Sequence, residues 1–393
     1  MRYFSYNLIY MSKYIFIVLV LSAVGVTLAV KYDLADFIGK TNTTNAVVET
    51  NNETSTPSSA EHPDIEVVAQ NLDIPWEIVF QDAENALVTQ REGSVVKINI
   101  SNGQVETIHT FSDVGARGEG GLLGTVLHPN FSKNNYIYFY LTYRNNNLLL
   151  NRVDRYELVG GKLQNKKTVL DGILGASNHD GGRMAFGPDG LLYITAGDAQ
   201  NPDSAQVTND LNGKILRVND DGSIPGDNPF KNAVYSYGHR NPQGITWDSS
   251  GRLWSTEHGP SGLQTGNDEL NLIYAGKNYG WPTIKGQQSK DGMVTPVIES
   301  GTKDTWAPGQ VVFYKDSLFF VGLRGAAIYK ATLSGEKVTD FKEYFKNEWG
   351  RLRTIVVGPD KYFYILTNNT DGRGIPKKGD DKLIRINPEL FYK

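Results

Sequence analysis

His179 stands in the run SNHDGGR, followed within two residues by a pair of glycines and then by an apolar, strand-like segment. An imidazole with one free nitrogen is the side chain best suited to move a proton near neutral pH, and glycines beside it let backbone or ligand approach closely. The chain has six histidines, and an isolated histidine is more often structural, so position counts for more here than residue type. Asp198 ends the next strand-like run, TAGD, where a carboxylate can orient the ring. Arg240 and Asn241 lie side by side in GHRNPQG, and they read either as an anion clamp or as an arginine capping the turn before Pro242. Arg351 and Arg353 alternate in RLRT, so in a strand both point to one face. Such a face usually meets solvent. If it faces a channel instead, then Arg240, Arg324, Arg351 and Arg353 line that channel with positive charge and suit a small polyanion.

Between residues 255 and 282 the runs STEHGP, GNDELNLI and NYGWP bring acids, glycines and carbonyl-rich turns together, as an oxygen-coordinated cation such as Ca²⁺ requires. No twelve-residue EF-hand loop is present, and Asp268 and Glu269 are equally readable as solvated turn residues. Nothing matches a GxSxG elbow, an HExxH helix, a P-loop or a GxGxxG turn, which leaves hydrolytic triads, zincins and nucleotide chemistry without support. The absence of cysteine excludes disulfides, thiolate metal sites and thiol nucleophiles. With 39 Lys+Arg against 43 Asp+Glu, the formal charge of −4 argues against a nucleic-acid partner. These residues describe a pocket with a histidine base, several arginines and an oxygen-bound cation, suited to a polycarboxylate. They do not specify a reaction.

The elements that must position these residues repeat. A turn carrying Pro, Asp, Asn or Gly followed by an apolar strand recurs in FQDAENALVTQREG, HPNFSKNNYIYFYLTY, GPDGLLYITAGD, WDSSGRLWSTEHG, YKDSLFFVGLRG and GPDKYFYILTNN, about 45 to 65 residues apart. Each is a hairpin around a tight turn, and this period matches one four-stranded blade of a propeller. With 41 Gly, 16 Phe and 21 Tyr, and without an amphipathic helix, the composition predicts an all-β six-bladed β-propeller over residues 63–393 rather than a two-sheet sandwich. Loops at one rim of a propeller gather residues from different blades, so the site should be scattered along the chain.

Ahead of this body, residues 14–30 (YIFIVLVLSAVGVTLAV) form an uncharged apolar stretch at the short end of what spans a bilayer as a helix. Arg2 and Lys13 precede it, which places residues 1–13 in the cytoplasm and the rest outside. A good cleavage site is lacking, which favours a retained single-pass membrane anchor over a removed signal segment. Residues 31–62 are rich in Asn, Thr and Ser with little to bury, and read as a flexible linker.

Taken in order, PWE near Pro75, GEGGLLGTVLHPNF, NHDGGRMAFGPDG, LNGKILRVNDDGSIPGDNPF, GHRNPQG, EHGP, DELNLI and NYGWP resemble the glucose/sorbosone dehydrogenase family over residues 65 to 386. The lack of long insertions between later blades is similar to the compact, aldose sugar dehydrogenase branch. The resemblance implies a propeller holding pyrroloquinoline quinone (PQQ) over Ca²⁺, and oxidation of an aldose at its anomeric carbon to a lactone. It makes His179 the general base, Asp198 its orienting partner and Arg240 the donor to the quinone oxygen with Asn241 beside it. It also makes Arg351 and Arg353 the holders of the cofactor carboxylates. The carbonyls of Gly259 and Pro260 would bind the cofactor's Ca²⁺, and Glu269 with the Tyr279 carbonyl a separate structural Ca²⁺. The electron acceptor is not implied, and a monomer is expected.

Three positions depart from the family pattern. Glu119 replaces a Gln beside the cofactor, where a carboxylate would repel an anion. Arg324 replaces a Lys that contacts the cofactor, and TIKGQQSKDG after NYGWP offers no counterpart to an aromatic contact. A non-catalytic extracellular propeller that binds a ligand or carbohydrate is the alternative these departures leave open. A weaker alternative is a Ca²⁺-dependent hydrolase. Retention of His179, Arg240, Asn241, Arg351 and Arg353 together favours the enzyme.

Overall fold

In the strand Tyr136–Asn145, Ile137, Phe139 and Leu141 point one way, Tyr138 and Tyr140 point the other, and all five are buried. Side chains alternate across a strand, so a strand apolar on both faces must be covered on both. Ile137, Phe139 and Leu141 pack with Leu87, Val95 and Phe111, whereas Tyr138 and Tyr140 pack with Met184, Leu192 and Leu216. The same division separates Leu318 and Phe320 from Phe319 and Val321. Six such apolar clusters result, each between two neighbouring sheets.

This computed structural model describes residues 62–260 and 266–393. Their strands form six four-stranded antiparallel sheets, as the hairpin repeat predicts. In chain order the blades cover 75–110, 122–174, 184–237, 242–299 and 308–344, and the sixth covers 352–386. The sixth takes its outer strand from the start of the body, since Ile65–Ala69 pairs with Leu383–Ile386 and Ile65 faces Ile386. This closure joins the two ends of the ring by a strand ladder rather than by a loop. Helical structure among the described residues amounts to the turn Phe131–Asn134 and the short 3₁₀ segments Pro202–Gln206 and Pro388–Phe391. The apolar stretch 14–30 and nearly all of the linker lie outside the described residues, among which no helix is long and apolar enough to cross a membrane.

The recurrent turn phrase has a physical cause. In GPDGLLY, one oxygen of Asp189 accepts the Leu191 N–H at 3.1 Å and the other accepts the Tyr193 hydroxyl at 2.9 Å. Asp360 repeats this with the Tyr362 N–H and the Tyr364 hydroxyl. An aspartate that closes its own turn while anchoring the next strand's tyrosine sets the register of the hairpin.

The first strand of each blade touches its neighbours around a central axis, where polar side chains are tied across blades. Arg183, fully buried ahead of the third blade, is bonded to Glu77 of the first blade. It donates from Nε to the Gln243 carbonyl (2.9 Å) and from Nη2 to Thr354 Oγ1 (3.3 Å), and it lies 4.2 Å from the Trp76 ring centroid. Burial pushes the Glu77 carboxyl above the usual carboxylate range and pulls Arg183 below its own, so each ion depends on the other. Arg183→Met is expected to destabilise the fold by about 3–5 kcal/mol, because it leaves the Glu77 carboxylate buried and unpaired. Adding Glu77→Gln should recover much of that loss, and urea unfolding of the single and double variants measures both.

Candidate active site

His179 lies between the second and third blades with backbone φ of 67°, an uncommon value for a residue other than glycine. Neighbours hold it there: its N–H donates to Glu119 Oε2 at 2.9 Å and its carbonyl accepts the Ala199 N–H at 3.2 Å. Gly197 runs so close that a Cβ would come within 2.0 Å of the His179 carbonyl oxygen, so only glycine fits the TAGD turn here. That turn delivers Asp198, whose Oδ1 lies 2.7 Å from His179 Nδ1. Asp198 is fully buried, and it also accepts the Gln200 N–H at Oδ1 and the Trp281 indole N–H at Oδ2, both at 2.8 Å. A carboxylate only accepts, so the shared proton sits on Nδ1, and in the neutral ring Nε2 carries the lone pair.

Beside this pair opens a cleft lined by Glu119, His258, Gly259, Pro260, Asp268, Thr305, Ala307, Leu323 and the arginines 324, 351, 353 and 373. Arg351 precedes the first strand of the sixth blade and Arg353 lies in it, so the two share one face, and that face is the channel. Arg353 is buried, and burial pulls its guanidinium down to about 9 while its hydrogen-bond partners, Gln243 and Asn368, are neutral. Arg351 is paired with Asp371 at 2.8 Å. Asn241 is buried, and its Oδ1 accepts from the Gly181 N–H and from Gln243 Nε2, both at 3.1 Å. Its amide nitrogen, like Arg353 Nε, has no partner within the described residues.

Arg240 lies in an adjoining cavity with Gly238, Glu257, His258, Gly259, Pro260, Glu269, Tyr279, Trp281, Ile284 and Lys285. Its N–H is bonded to Glu257, its Nη1 reaches the His258 carbonyl at 3.4 Å, and its guanidinium carbon lies 5.4 Å from the Trp281 ring centroid. The four residues nominated for cation binding, Gly259, Pro260, Glu269 and Tyr279, all line this cavity, and the first two also border the arginine cleft. Burial, with Glu257 and Glu299 nearby, pushes the Glu269 carboxyl up to about 8, a tension that a cation would relieve. No cluster of three or more acidic or imidazole side chains suited to a metal occurs among the described residues, so a cation here would rest largely on backbone carbonyls.

Several expectations change. Asp268 is not a solvated turn residue: it is buried, with Oδ1 taking the Gly259 N–H and Oδ2 taking N–H groups of Trp306 and Ala307 and the Thr305 hydroxyl. Glu269, the other half of that reading, likewise faces the cavity rather than open solvent. Trp281, within NYGWP itself, touches both Asp198 and Arg240. Glu119 does not stand as a bare repelling charge, because Arg373 Nη1 donates to its Oε1 at 2.6 Å. Burial alone would raise its pKa, but His258, Arg373 and the His179 N–H outweigh that and bring it to about 2. His258 is itself pulled down to about 4 by burial and is neutral at pH 7, which leaves Arg373 as the cation that matters there. Sequence reading missed Trp281, His258 and Arg373. The first two sit inside motifs already noted, whereas nothing local marks Arg373.

Fold and site together describe a six-bladed propeller in which a His179–Asp198 pair adjoins an arginine-lined cleft. The chain belongs to the glucose/sorbosone dehydrogenase family, whose model matches residues 72–384, and so stands among oxidoreductases. An aldose sugar dehydrogenase of Escherichia coli (strain K12) is 32% identical over 340 residues, covering 78% of this chain and 91% of that protein. Quinoprotein glucose dehydrogenase B of Acinetobacter calcoaceticus is 34% identical over 269 residues, 60% of this chain and 55% of that one. The solved PQQ-bound form of aldose sugar dehydrogenase from Streptomyces coelicolor superposes with a TM-score of 0.77 at 35% identity, covering 82% of this chain and 97% of the other.

Because the folded-state pKa of Glu119 is depressed, its ion pair stabilises the protein above the usual value of 4.5 and ceases to do so as pH falls from there towards about 2. The stability difference between the native chain and Glu119→Gln should therefore be constant from pH 7 to about pH 5 and shrink below about 4.5. Urea midpoints across that range report it.

Proposed function

We propose that this protein oxidises the C1 hydroxyl of aldose sugars to lactones with PQQ as its redox cofactor. The observation that carries the reading is the His179 Nε2 lone pair, fixed by the 2.7 Å contact of Nδ1 with Asp198 and set beside an arginine-walled cleft. The residues present fit the cofactor. PQQ is a planar tricarboxylate, and the cleft offers it Arg324, Arg351 and the buried Arg353, whose Nε, like the amide of the buried Asn241, has no partner among the described residues. The PQQ-bound relative from Streptomyces supports the same choice.

When bound, PQQ supplies a quinone that takes up two electrons and a proton, the equivalent of a hydride from C1. The chain supplies the rest. His179 Nε2 accepts the proton of the anomeric hydroxyl, and Asp198, held by Trp281 and Gln200, keeps the ring aimed and stabilises the imidazolium that forms. Arg324, Arg351 and Arg353 hold the carboxylates, and Arg240 with Asn241 donates to the oxygen on which negative charge develops. The carbonyls of Gly259 and Pro260 would hold the cofactor's Ca²⁺, and Glu269 with the Tyr279 carbonyl a second ion. The adjoining, partly shared cavities those four residues line support that assignment. The apolar stretch 14–30 would tether a monomeric propeller on the outer side of the cell membrane, where a separate electron acceptor reoxidises the cofactor.

The test is a PQQ titration of the full chain with Ca²⁺ present, followed by aldoses and a redox dye. Saturable binding and sugar-dependent dye reduction are expected, and an unchanged signal on both would overturn the reading. His179→Ala should lower turnover by about 10²–10⁴-fold while PQQ affinity stays within about twofold. Arg353→Ala should do the reverse, weakening PQQ binding by tenfold or more, on the order of one charge-assisted hydrogen bond. Chelating Ca²⁺ should abolish dye reduction while the circular dichroism of the propeller persists, and Glu269→Gln should remove the rise in melting temperature that Ca²⁺ produces.

A further inference from the structure

Arg373 lies in the loop that follows the strand Phe363–Thr367 of the sixth blade, and its side chain reaches the segments on either side of the second blade, at Glu119, 254 residues away in sequence, and at Asn178. Nη1 donates to Glu119 Oε1 at 2.6 Å and Nη2 to Asn178 Oδ1 at 2.5 Å. Both acceptors adjoin the base: Asn178 precedes it in the chain, and the second oxygen of Glu119 takes the His179 N–H. The loop end is secured as well, since Asp371 accepts the Arg373 N–H at one oxygen and Arg351 Nη2 at the other. A continuous chain of contacts thus runs from Arg351 through Asp371 to the backbone of Arg373, and from its guanidinium through Glu119 to the backbone of His179.

Glu119 matters because it is a carboxylate in the wall of an anion-binding cleft. Its side chain is only 19% exposed, against 45% for Arg373, so water screens it poorly. Without its partner it would oppose any polycarboxylate placed against Arg324, Arg351 and Arg353.

We propose that Arg373 is a further residue of the cofactor site, neutralising Glu119 so that an anionic ligand can be seated, and clamping the 178–179 segment to the last blade. The ligand half of this proposal rests on the PQQ reading above, and the clamp half does not. A purely structural arginine and a charge-neutralising one differ in one respect: only the second becomes dispensable when the carboxylate is removed.

The experiment is a double-mutant cycle of Glu119→Gln, Arg373→Ala and the pair in the full chain, read by equilibrium PQQ binding with Ca²⁺ present. Glutamine keeps an oxygen to accept the His179 N–H. Arg373→Ala should weaken PQQ binding by on the order of 10- to 100-fold, Glu119→Gln should change it by less than about threefold, and the double variant should return to near the native affinity. Unchanged binding in Arg373→Ala, or no recovery in the double variant, overturns the proposal. Should Arg373→Ala fold poorly, Arg373→Gln replaces it, keeping a donor to Asn178 while removing the charge, with the same loss and rescue expected. Thermal unfolding of the four cofactor-free proteins separates the two halves. If the native chain does not bind PQQ, the cofactor reading and the ligand half both fall, while non-additive melting temperatures still uphold the clamp. Additive melting temperatures overturn the clamp whatever PQQ does.

Discussion

The Arg183 guanidinium is the tie on which the rest of this molecule depends. Six first strands converge on one axis, and the groups they present there meet one another rather than water, so each buried donor needs an acceptor from another blade. Arg183 meets Glu77, the Gln243 carbonyl and Thr354, and so joins the first, fourth and sixth blades to the third. Gln243 extends the network upward, accepting from Arg353 at 3.0 Å while donating to Asn241 Oδ1. The side chains that face the cleft are therefore braced from below by those that hold the ring together. A loss at the axis would loosen the site as well as the fold.

Similar bracing from its own neighbours keeps His179 in an unfavourable backbone conformation. His179 at φ 67° is held through its own N–H, its own carbonyl and its ring, by two different stretches of chain, one at Glu119 and one at Asp198–Ala199. Positive-φ conformations of this kind survive where surroundings over-determine them. Asp198 is saturated by the same logic, so the imidazole has one orientation available and one nitrogen left for chemistry.

Electrostatics divides the rim into two compartments that share Gly259, Pro260 and the neutral His258. One is cationic and suits carboxylates. In the other, burial pushes Glu269 upward, as expected of a carboxyl taken out of water beside Glu257. Two carboxylates stand in the cationic compartment: four donors meet Asp268, and Arg373 meets Glu119, so the departure from glutamine carries its own compensation. The proposed pairing of an anionic cofactor with a hard cation rests on these two compartments lying side by side.

Much of this was legible in residue order, because its causes are local. Asp189 and Asp360 close their own turns, the strands between them are apolar on both faces, and a period of one hairpin phrase per blade follows from chemistry within a dozen residues. His179 beside its glycines, Asp198 at a strand end and the alternation of Arg351 with Arg353 are local in the same sense. What residue order left undecided depended on which blades become neighbours. Nothing near Arg373 marks it as the partner of Glu119, nothing near Asp268 shows four donors converging on its carboxylate, and Trp281 is known to reach Asp198 only once the fourth blade stands beside the third. The sequence by itself determined the blades and their number, and it singled out His179 as the candidate base. Ring closure through Ile65–Ala69 decided how charges from opposite ends of the chain are paired, because electrostatic and hydrogen-bond energies depend on separation in space, which only the closed ring sets.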